Sequence, residues 1–508
     1  MLLLGFAIIF YTNPRPFEPR ERDYAVVGSF YVFAIWIGFG VFALYDYLKN
    51  YANKRTVAIG VSAVSLLAVP VLMGVQNWDD HDRGDRFIAQ LNAQTYLESC
   101  DPNAIIFTIG DNDTFPLWYM QQVEGVRQDI KIVNTSLFQT AWYIDQMKKK
   151  TYQAEPIPSQ LTHEQYKYGT LDMAYHIAHP RFKDSIMSIN NFMRWIESDN
   201  DQTYYIDEEN DVREKFYPTN HIRIPVNKAN VLKTGLVAQK DADKILDYID
   251  ITVSEQGLTK NRILMLDILN NFQWKRPIYF TGGANADEEY IWLKDYLQLD
   301  GMSYKFVPIK TSNKGKSMFS MGRIDTKKMH DNVKKWNWKT INNGKIYLDE
   351  QSKRNAISIR NNLMRLSEEY LKEGDSVNAK DVLDLSLYKL PIKQFEHYSV
   401  SLEYPELYYR MGDIEKAHET VETLIDVFQQ KLKYYSTFKD QDVDLIIDNL
   451  ETSLYMYQNL IQQITKYDND MEYGKKAFEA YLNHANLFKH LMANEPQQPV
   501  RELDTIKP

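Results

Sequence analysis

The sequence predicts an α/β domain, a parallel sheet covered by helices with an inserted β-containing segment, that follows N-terminal transmembrane helices and precedes an all-α region. Three observations carry this reading. Two long uncharged runs lie near the N-terminus, strand-like and helix-like segments alternate in the middle, and strand signals vanish after about Asn355. At 508 residues, 44% hydrophobic and 25% charged, the chain has the length and balance of a protein of two or three domains.

No charged residue occurs from Ala25 to Tyr45 or from Thr56 to Gln76, and each run has the length of a helix that crosses a bilayer. The opening run MLLLGFAIIFYT is too short to cross and lacks the basic start and cleavage site of a signal peptide. It reads as the tail of a helix cut at its N-terminal side, so the chain is expected to be the C-terminal part of a larger polytopic protein. The loop KNYANKR (Lys49–Arg55) carries three basic residues and no acid, whereas NWDDHDRGDR after the second run is rich in aspartate. Basic loops stay in the cytoplasm, which places residues 77–508 on the far side of an inner (cytoplasmic) membrane, in a periplasm or lumen. The loop NPRPFEPRERD holds three arginines but balances them with Glu18, Glu21 and Asp23. The net charge of −9 leaves no basic stripe for nucleic acid, and a lone Cys100 rules out an internal disulfide framework.

The expected domains are 1–76 in the membrane, 77–345 as the α/β domain and 346–508 as the helical region. In the α/β domain, Asp85–Glu98 has helical spacing, Ala104–Ile109 is strand-like, Leu117–Glu124 is helical, Ile130–Asn134 is strand-like and Trp142–Lys149 is helical. That alternation is the grammar of a parallel βαβ unit. It returns as helix Asn261–Asn270, strand Pro277–Thr281, helix Glu288–Leu297 and strand Tyr304–Ile309, so one sheet is split by an insertion at about 151–260. Within the insertion, Ile222–Val226 and Tyr248–Val253 read as hairpin or edge strands, and Asp199-Asn200-Asp201 as a turn.

In the helical region, YLKEGDSVNAKDVLDL and YYRMGDIEKAHETVETL overlay so that Gly374, Asp375 and Ala379 match Gly412, Asp413 and Ala417, an offset of 38 residues. This resembles the helix-turn-helix grammar of tetratricopeptide (TPR) repeats, whose period is about 34, and the region is accordingly TPR-like. A partner-binding array and a helical cap on the α/β domain both fit.

The stretch GDNDTFPLWY (Gly110–Tyr119) places two carboxylates, an amide and a hydroxyl after the first strand. Asp-x-Asp is the spacing with which carboxylates share a divalent cation, but the triplet DND recurs at 199–201 and 468–470, which removes its specificity. Position says more than composition, because ligands of parallel α/β sheets bind at the carboxyl ends of strands. Three strands end in polar or glycine-rich loops, giving candidate ligand-binding residues Asp111, Asp113, Thr114, Asn134, Ser136, Gly282, Gly283 and Asn285, suited to a sugar or phosphate. The competing reading is a helix start, with Asp113 or Thr114 as N-cap and Pro116 in the first turn. Glu124, Arg127 and Asp129 form a candidate clamp of the following turn. No HExxH, G-x-S-x-G, P-loop or G-x-G-x-x-G is present, and no metal site or catalytic residue can be assigned.

The words PRERDYAVVGSFYVFAIWIG, GDNDTFPLWYMQQVEGVRQDIKIVNTSL, WYIDQM, RIPV, KRPIYF and LKDYLQLDGMSYKFVP occur in order between about residues 13 and 310. In them the chain resembles the Bacteroidota membrane proteins catalogued as domain of unknown function 2723, grouped as glycosyltransferase family 117, with animal relatives that are protein O-mannosyltransferases. The resemblance implies a polytopic transferase that moves sugar from a polyprenyl-phosphate donor to a protein hydroxyl outside the cytoplasm. Its catalytic acid generally lies in the first external loop, which has no counterpart here. This chain is therefore expected to need no cofactor of its own, to sit in the lipid bilayer and to support binding of a protein or glycan acceptor. A non-catalytic, membrane-anchored binding or scaffold protein is the alternative. A metal-dependent transferase using a nucleotide sugar at Asp111 and Asp113 ranks last, because nucleotide sugars are cytoplasmic.

Overall fold

The structure, a computed structural model, describes residues 2–13, 23–81, 84, 86–179, 182, 185–207, 212–282, 286–313, 316–317, 319–338 and 348–492. It divides into two compact units, residues 1–84 and 85–508.

The first unit is helical: α1 (Phe6–Thr12), α2 (Val27–Leu48), α3 (Lys54–Leu66) and α4 (Leu72–His81). Pro70 lacks the N–H that an α-turn needs there, and the backbone widens into a π-turn over Leu67–Val71 between α3 and α4. Two continuous helical stretches, Tyr24–Leu48 and Lys54–Trp78, are long and apolar enough to cross a membrane. Their large side chains, among them Phe30, Trp36, Phe39, Leu67 and Met73, are exposed. A surface this apolar is unfavourable in water and is at home in hydrocarbon. The two N-terminal runs thus have the length, composition and exposure of membrane-inserting helices.

The second unit opens with α5 (Ile88–Glu98), β1 (Ile105–Thr108), α6 (Asp111–Gln122), β2 (Lys131–Asn134) and α7 (Ala141–Met147). The insertion adds α8 (His163–Tyr166), β3 (Met173–His176), β4 (Met187–Ser188), α9 (Ile189–Glu197), β5 (Tyr204–Asp207), β6 (Val212–Tyr217), β7 (His221–Pro225), α10 (Lys228–Lys233), β8 (Tyr248–Thr252) and β9 (Gly257–Thr259). The chain then returns through α11 (Lys260–Asn271), β10 (Ile278–Phe280), β11 (Leu297–Leu299), β12 (Tyr304–Phe306), β13 (Arg323–Ile324) and α12 (Thr326–Val333).

The main sheet has the order β13-β11-β12-β10-β1-β2. Strands β10, β1 and β2 run parallel, with Ile106 beside Tyr279 and Ile132. Alternate side chains enter two layers. Ile106, Ile132 and Tyr279 pack with Leu97 of α5 and Leu117 and Met120 of α6, while Phe107, Val133 and Phe280 pack with α7 and α11. Helix α11 is buried at every residue from Lys260 to Leu269, which makes it the central helix of this unit.

Two expectations are corrected. The sheet is mixed, because β12 is antiparallel to β10 and β11 is antiparallel to β12. The helix expected over Glu288–Leu297 does not form: Ile291 and Trp292 both adopt positive φ, which ends a 3-10 turn at Tyr290 and releases the chain into β11. The insertion carries two small sheets, β5-β6-β3-β9 and β4-β7-β8. In the latter, β7 and β8 form the antiparallel pair expected near 222–226 and 248–253, with Ile222 opposite Ile251.

Among the described residues the C-terminal region is helical: α13 (Glu350–Lys372), α14 (Ser376–Lys389), α15 (Ile392–Phe395), α16 (Tyr398–Ser401), α17 (Glu403–Met411), α18 (Ile414–Tyr435), α19 (Ile447–Tyr467) and α20 (Met471–Ala485). Gly374 and Gly412 take the left-handed conformation between α13 and α14 and between α17 and α18, and Asp375 and Asp413 cap the helices that follow. Ala379 and Ala417 are fully buried where the helices meet. Ala356, Ile359 and Leu363 of α13 share one core with the main sheet, so this region is packed on the α/β domain.

Candidate functional site

The three strand ends do converge, and they do so by satisfying one another. Gly110 is the N-cap of α6, so the helix begins at Asp111, earlier than the expected cap at Asp113 or Thr114. The reason is Asp113, whose carboxylate reaches back to accept the Ile109 and Gly110 N–H groups at 2.8 and 2.9 Å. It thereby ties down free donors at the helix start and sits favourably on the helix dipole. The Thr281 hydroxyl at the end of β10 donates to the same carboxylate at 2.8 Å. Pro116 lies inside the helix rather than in its first turn.

Thr114 is buried, with its Oγ1 2.6 Å from that of Thr108 and 2.8 Å from Asn134 Nδ2. Asn134 also donates to the Gly110 carbonyl at 3.1 Å and accepts from the Leu137 N–H at 2.8 Å. Ser136 donates to the Ile109 carbonyl at 2.7 Å. Gly282 has φ +82°, and a Cβ there would stand 2.9 Å from the Tyr304 ring. Gly283 and Asn285 lie outside the described residues. Of the candidate side chains among the described residues, only Asp111 faces solvent without a bond beyond its neighbour, the Asn112 N–H at 3.1 Å. Asp113, Thr114, Asn134 and Ser136 therefore tie the strand ends to one another.

Sequence reasoning passed over Asn261, Arg262 and Glu289 at the same strand ends. Asn261 donates to the Thr135 carbonyl at 2.9 Å, and Arg262 pairs with Glu289 at 2.7 Å. The signal was present: Lys260 and Arg262 place cations in the first turn of α11, against the helix dipole, which calls for acidic partners elsewhere. For Lys260 that partner is Asp172, at 2.6 Å.

The clamp exists with one change of member. Arg127, at φ +48°, donates to both Asp129 oxygens at 3.0 and 3.1 Å and to the carbonyls of Leu97 and Cys100 that end α5. Burial alone would raise the Asp129 carboxyl, yet hydrogen bonds from Arg127 and the Asn103 N–H hold it below the ordinary range. Glu124 is not part of the clamp. Its carboxylate takes the Tyr119 hydroxyl, and the further acid near Arg127 is Glu98, at 3.9 Å.

A second polar cluster lies in the α5 and α6 layer. Lys305 is buried between Asp300 at 2.9 Å and Asp101 at 3.1 Å, and the Tyr279 hydroxyl lies 3.0 Å from an oxygen of each carboxylate. Lys328 adds a second cation to Asp101, and Gln298 donates to Asp300 at 2.8 Å. Burial would raise the Asp101 carboxyl, but Lys305 and Lys328 outweigh it and bring it down to about 2. Burial would likewise lower Lys305, and the two aspartates hold it above the lysine range. Each charged group here is partnered, which marks a structural network. Burial also pushes the Cys100 thiol far up, which leaves no activated nucleophile there. Among the described residues no three His, Cys, Asp or Glu side chains group to hold a metal.

A cleft of about 510 Å³ opens elsewhere, along the outer edge of β2 between α6 and α7. Its walls carry Trp118 and Gln122 of α6, Trp142 and Gln146 of α7, and Tyr152 from the following turn. Lys131 lies at its base, with Nζ donating to the Lys149 carbonyl at 2.8 Å and to Thr151 at 3.1 Å. Burial, with Arg276 adding in the same direction, pushes the Lys131 amine down to about 8. The strand edge itself is closed to further pairing. The Ile130 carbonyl accepts Gln121 Nε2 at 2.9 Å, and the Asn134 N–H donates to the Tyr143 hydroxyl at 2.9 Å.

The geometry thus defines a chain with two membrane-length helices and a mixed α/β unit that carries an aromatic, amide-rich cleft. Residues 89–328 match the model of a protein family described as TMEM260-associated domain 2. That segment runs from α5 to α12 and holds both the strand-end turn and the cleft. No curated protein and no solved structure matches the chain.

Proposed function

We propose that this chain is the supporting part of a membrane glycosyltransferase of the protein O-mannosyltransferase type, as the resemblance to the domain of unknown function 2723 proteins implies. In this reading residues 77–508 face the non-cytoplasmic side and hold the protein or glycan acceptor. The polyprenyl-phosphate sugar donor and the catalytic acid belong to other parts of the enzyme. The observation that carries the reading is the match to TMEM260-associated domain 2 over residues 89–328, directly after two helices of membrane length. The strand-end geometry supports the division of labour, because its polar groups are consumed in holding β1, β2 and β10 together. The helix pairs α13/α14 and α17/α18, each closed by a left-handed glycine and an aspartate cap, support a TPR-like surface beside the acceptor.

The test is reconstitution of the chain in liposomes with a polyprenyl-phosphate mannose donor and a threonine-rich acceptor peptide. Peptide or glycopeptide binding without sugar transfer is expected. Transfer by this chain alone contradicts the division of labour, and failure to bind either acceptor favours a membrane-anchored scaffold. Protease digestion of sealed vesicles reports sidedness, with residues 85–508 cleaved only from the non-cytoplasmic face.

A further inference from the structure

The cleft beside β2 holds several side-chain polar atoms that have no partner among the described residues. Among the described residues the amide of Gln146 has no hydrogen-bond partner and Gln122 is engaged through its Oε1, which accepts the Tyr152 hydroxyl at 2.6 Å. The indole N–H groups of Trp118 and Trp142 likewise have no partner among the described residues. Two of the aromatic residues are strongly exposed, Trp142 at 54% and Tyr152 at 50%. Tyr152 is also held at φ +52°, at the tip of a tight turn closed by reciprocal Thr151 and Ala154 backbone bonds. A large side chain in the left-handed region costs of the order of 1 kcal/mol, so something other than local preference keeps it there. The bond to Gln122 fixes the ring as a wall of the cleft.

We propose that this cleft is a saccharide-binding site, with Trp118, Trp142 and Tyr152 supplying ring faces for the apolar side of a neutral sugar and Gln122 and Gln146 hydrogen-bonding its hydroxyls. A sugar ring has one chemistry for each surface present: a patch of C–H groups that packs on aromatic faces, and a rim of hydroxyls that donate and accept as primary amides do. An apolar ligand would bury the free amides and indole N–H groups without partners, at about 1–3 kcal/mol each. An anionic ligand would find two of the lysines already engaged, Lys131 by Lys149 and Thr151, and Lys150 by Glu155 at 2.7 Å. An extended peptide would find the strand edge capped by Gln121 and Tyr143. The volume falls within the range of small-ligand pockets.

This deepens the acceptor-binding reading by naming the ligand class and the site. The experiment is saturation-transfer NMR and calorimetry on the full chain in detergent. The probes are neutral trisaccharides of glucose, mannose and N-acetylglucosamine, with the threonine-rich acceptor peptide titrated separately. Wild type is expected to bind at least one trisaccharide. Trp142→Ala and Gln146→Ala, both at exposed positions, are expected to weaken binding at least tenfold and fivefold with an unchanged unfolding temperature. Trisaccharide binding that both variants retain at wild-type affinity overturns the cleft while leaving glycan binding elsewhere in the chain. Peptide binding without any trisaccharide binding overturns the cleft alone. Binding of neither overturns the cleft and the acceptor-binding reading together.

Discussion

Helix α6 borders two polar regions that differ in what their hydrogen-bonding atoms do. At its N-terminus, Asp113, Thr114, Asn134 and Thr281 spend their polar atoms on one another and on the backbone. Along its flank, Trp118, Gln122 and, across the cleft, Gln146 keep most of theirs unpartnered among the described residues. The first region holds three strand ends in register; the second presents chemistry to an outside molecule. Sequence attention goes to the first, because carboxylates after a strand look like a site and glutamines on helices look like surface. The difference teaches that unspent hydrogen-bonding capacity in a concavity points to a ligand more directly than charge at a strand end.

The sharpest way to test the committed side is at its extreme, the buried ionic network. Asp101→Asn leaves Lys305 and Lys328 short of a counter-charge and is expected to cost about 3–5 kcal/mol, read from urea or thermal unfolding. The same carboxylate sets an acid dependence. Its folded value, about 2, lies below its ordinary value of 3.8. Its contribution, about 2 kcal/mol, is therefore complete above about pH 4 and is lost as pH falls toward 2. Titrating unfolding over that window should show a drop in wild type that is reduced in Asp101→Asn.

Next in size is Asp113→Ala, which frees two backbone N–H groups and the Thr281 hydroxyl and is expected to cost about 3 kcal/mol. Thr114→Val strips a buried acceptor from Asn134 and is expected to cost about 1–2 kcal/mol by the same measurement. The smallest effect belongs to Asp111→Asn. This residue has only a bond to its neighbour and a place on the helix dipole, so a change within about 0.5 kcal/mol is expected. A large loss of acceptor binding in folded Asp111→Asn would break the comparison, since it would place ligand chemistry back at the strand ends.

What the sequence disclosed was the local part. Apolar runs bounded by turn residues mark β1, β2 and β10, and a glycine followed by a capping aspartate marks both helix turns, because those signals act within a few residues. The strand ends meet at Asp113, Asn134 and Thr281, and the sequence left open whether they turn toward a ligand or toward each other. Asp113 resolves this through Thr281, 168 residues away, a pairing that no local pattern encodes. The ionic network was hidden for the same reason, since Asp101 and Lys305 are 204 residues apart. The helix expected over Glu288–Leu297 failed because acidic and apolar residues there have helical spacing, whereas tertiary packing buries Tyr290, Ile291 and Leu293 in a turn instead. The cleft was invisible because its walls come from two helices and a turn, and each residue is unremarkable in its own segment.

The central claim is that the strand ends are structural and the β2 cleft binds sugar. It is tested most directly by titrating one neutral trisaccharide against wild type, Asp113→Ala and Trp142→Ala, at a temperature where all three are folded. Wild-type affinity in Asp113→Ala with at least a tenfold loss in Trp142→Ala is the predicted result. Loss of binding in Asp113→Ala with full affinity in Trp142→Ala would contradict it.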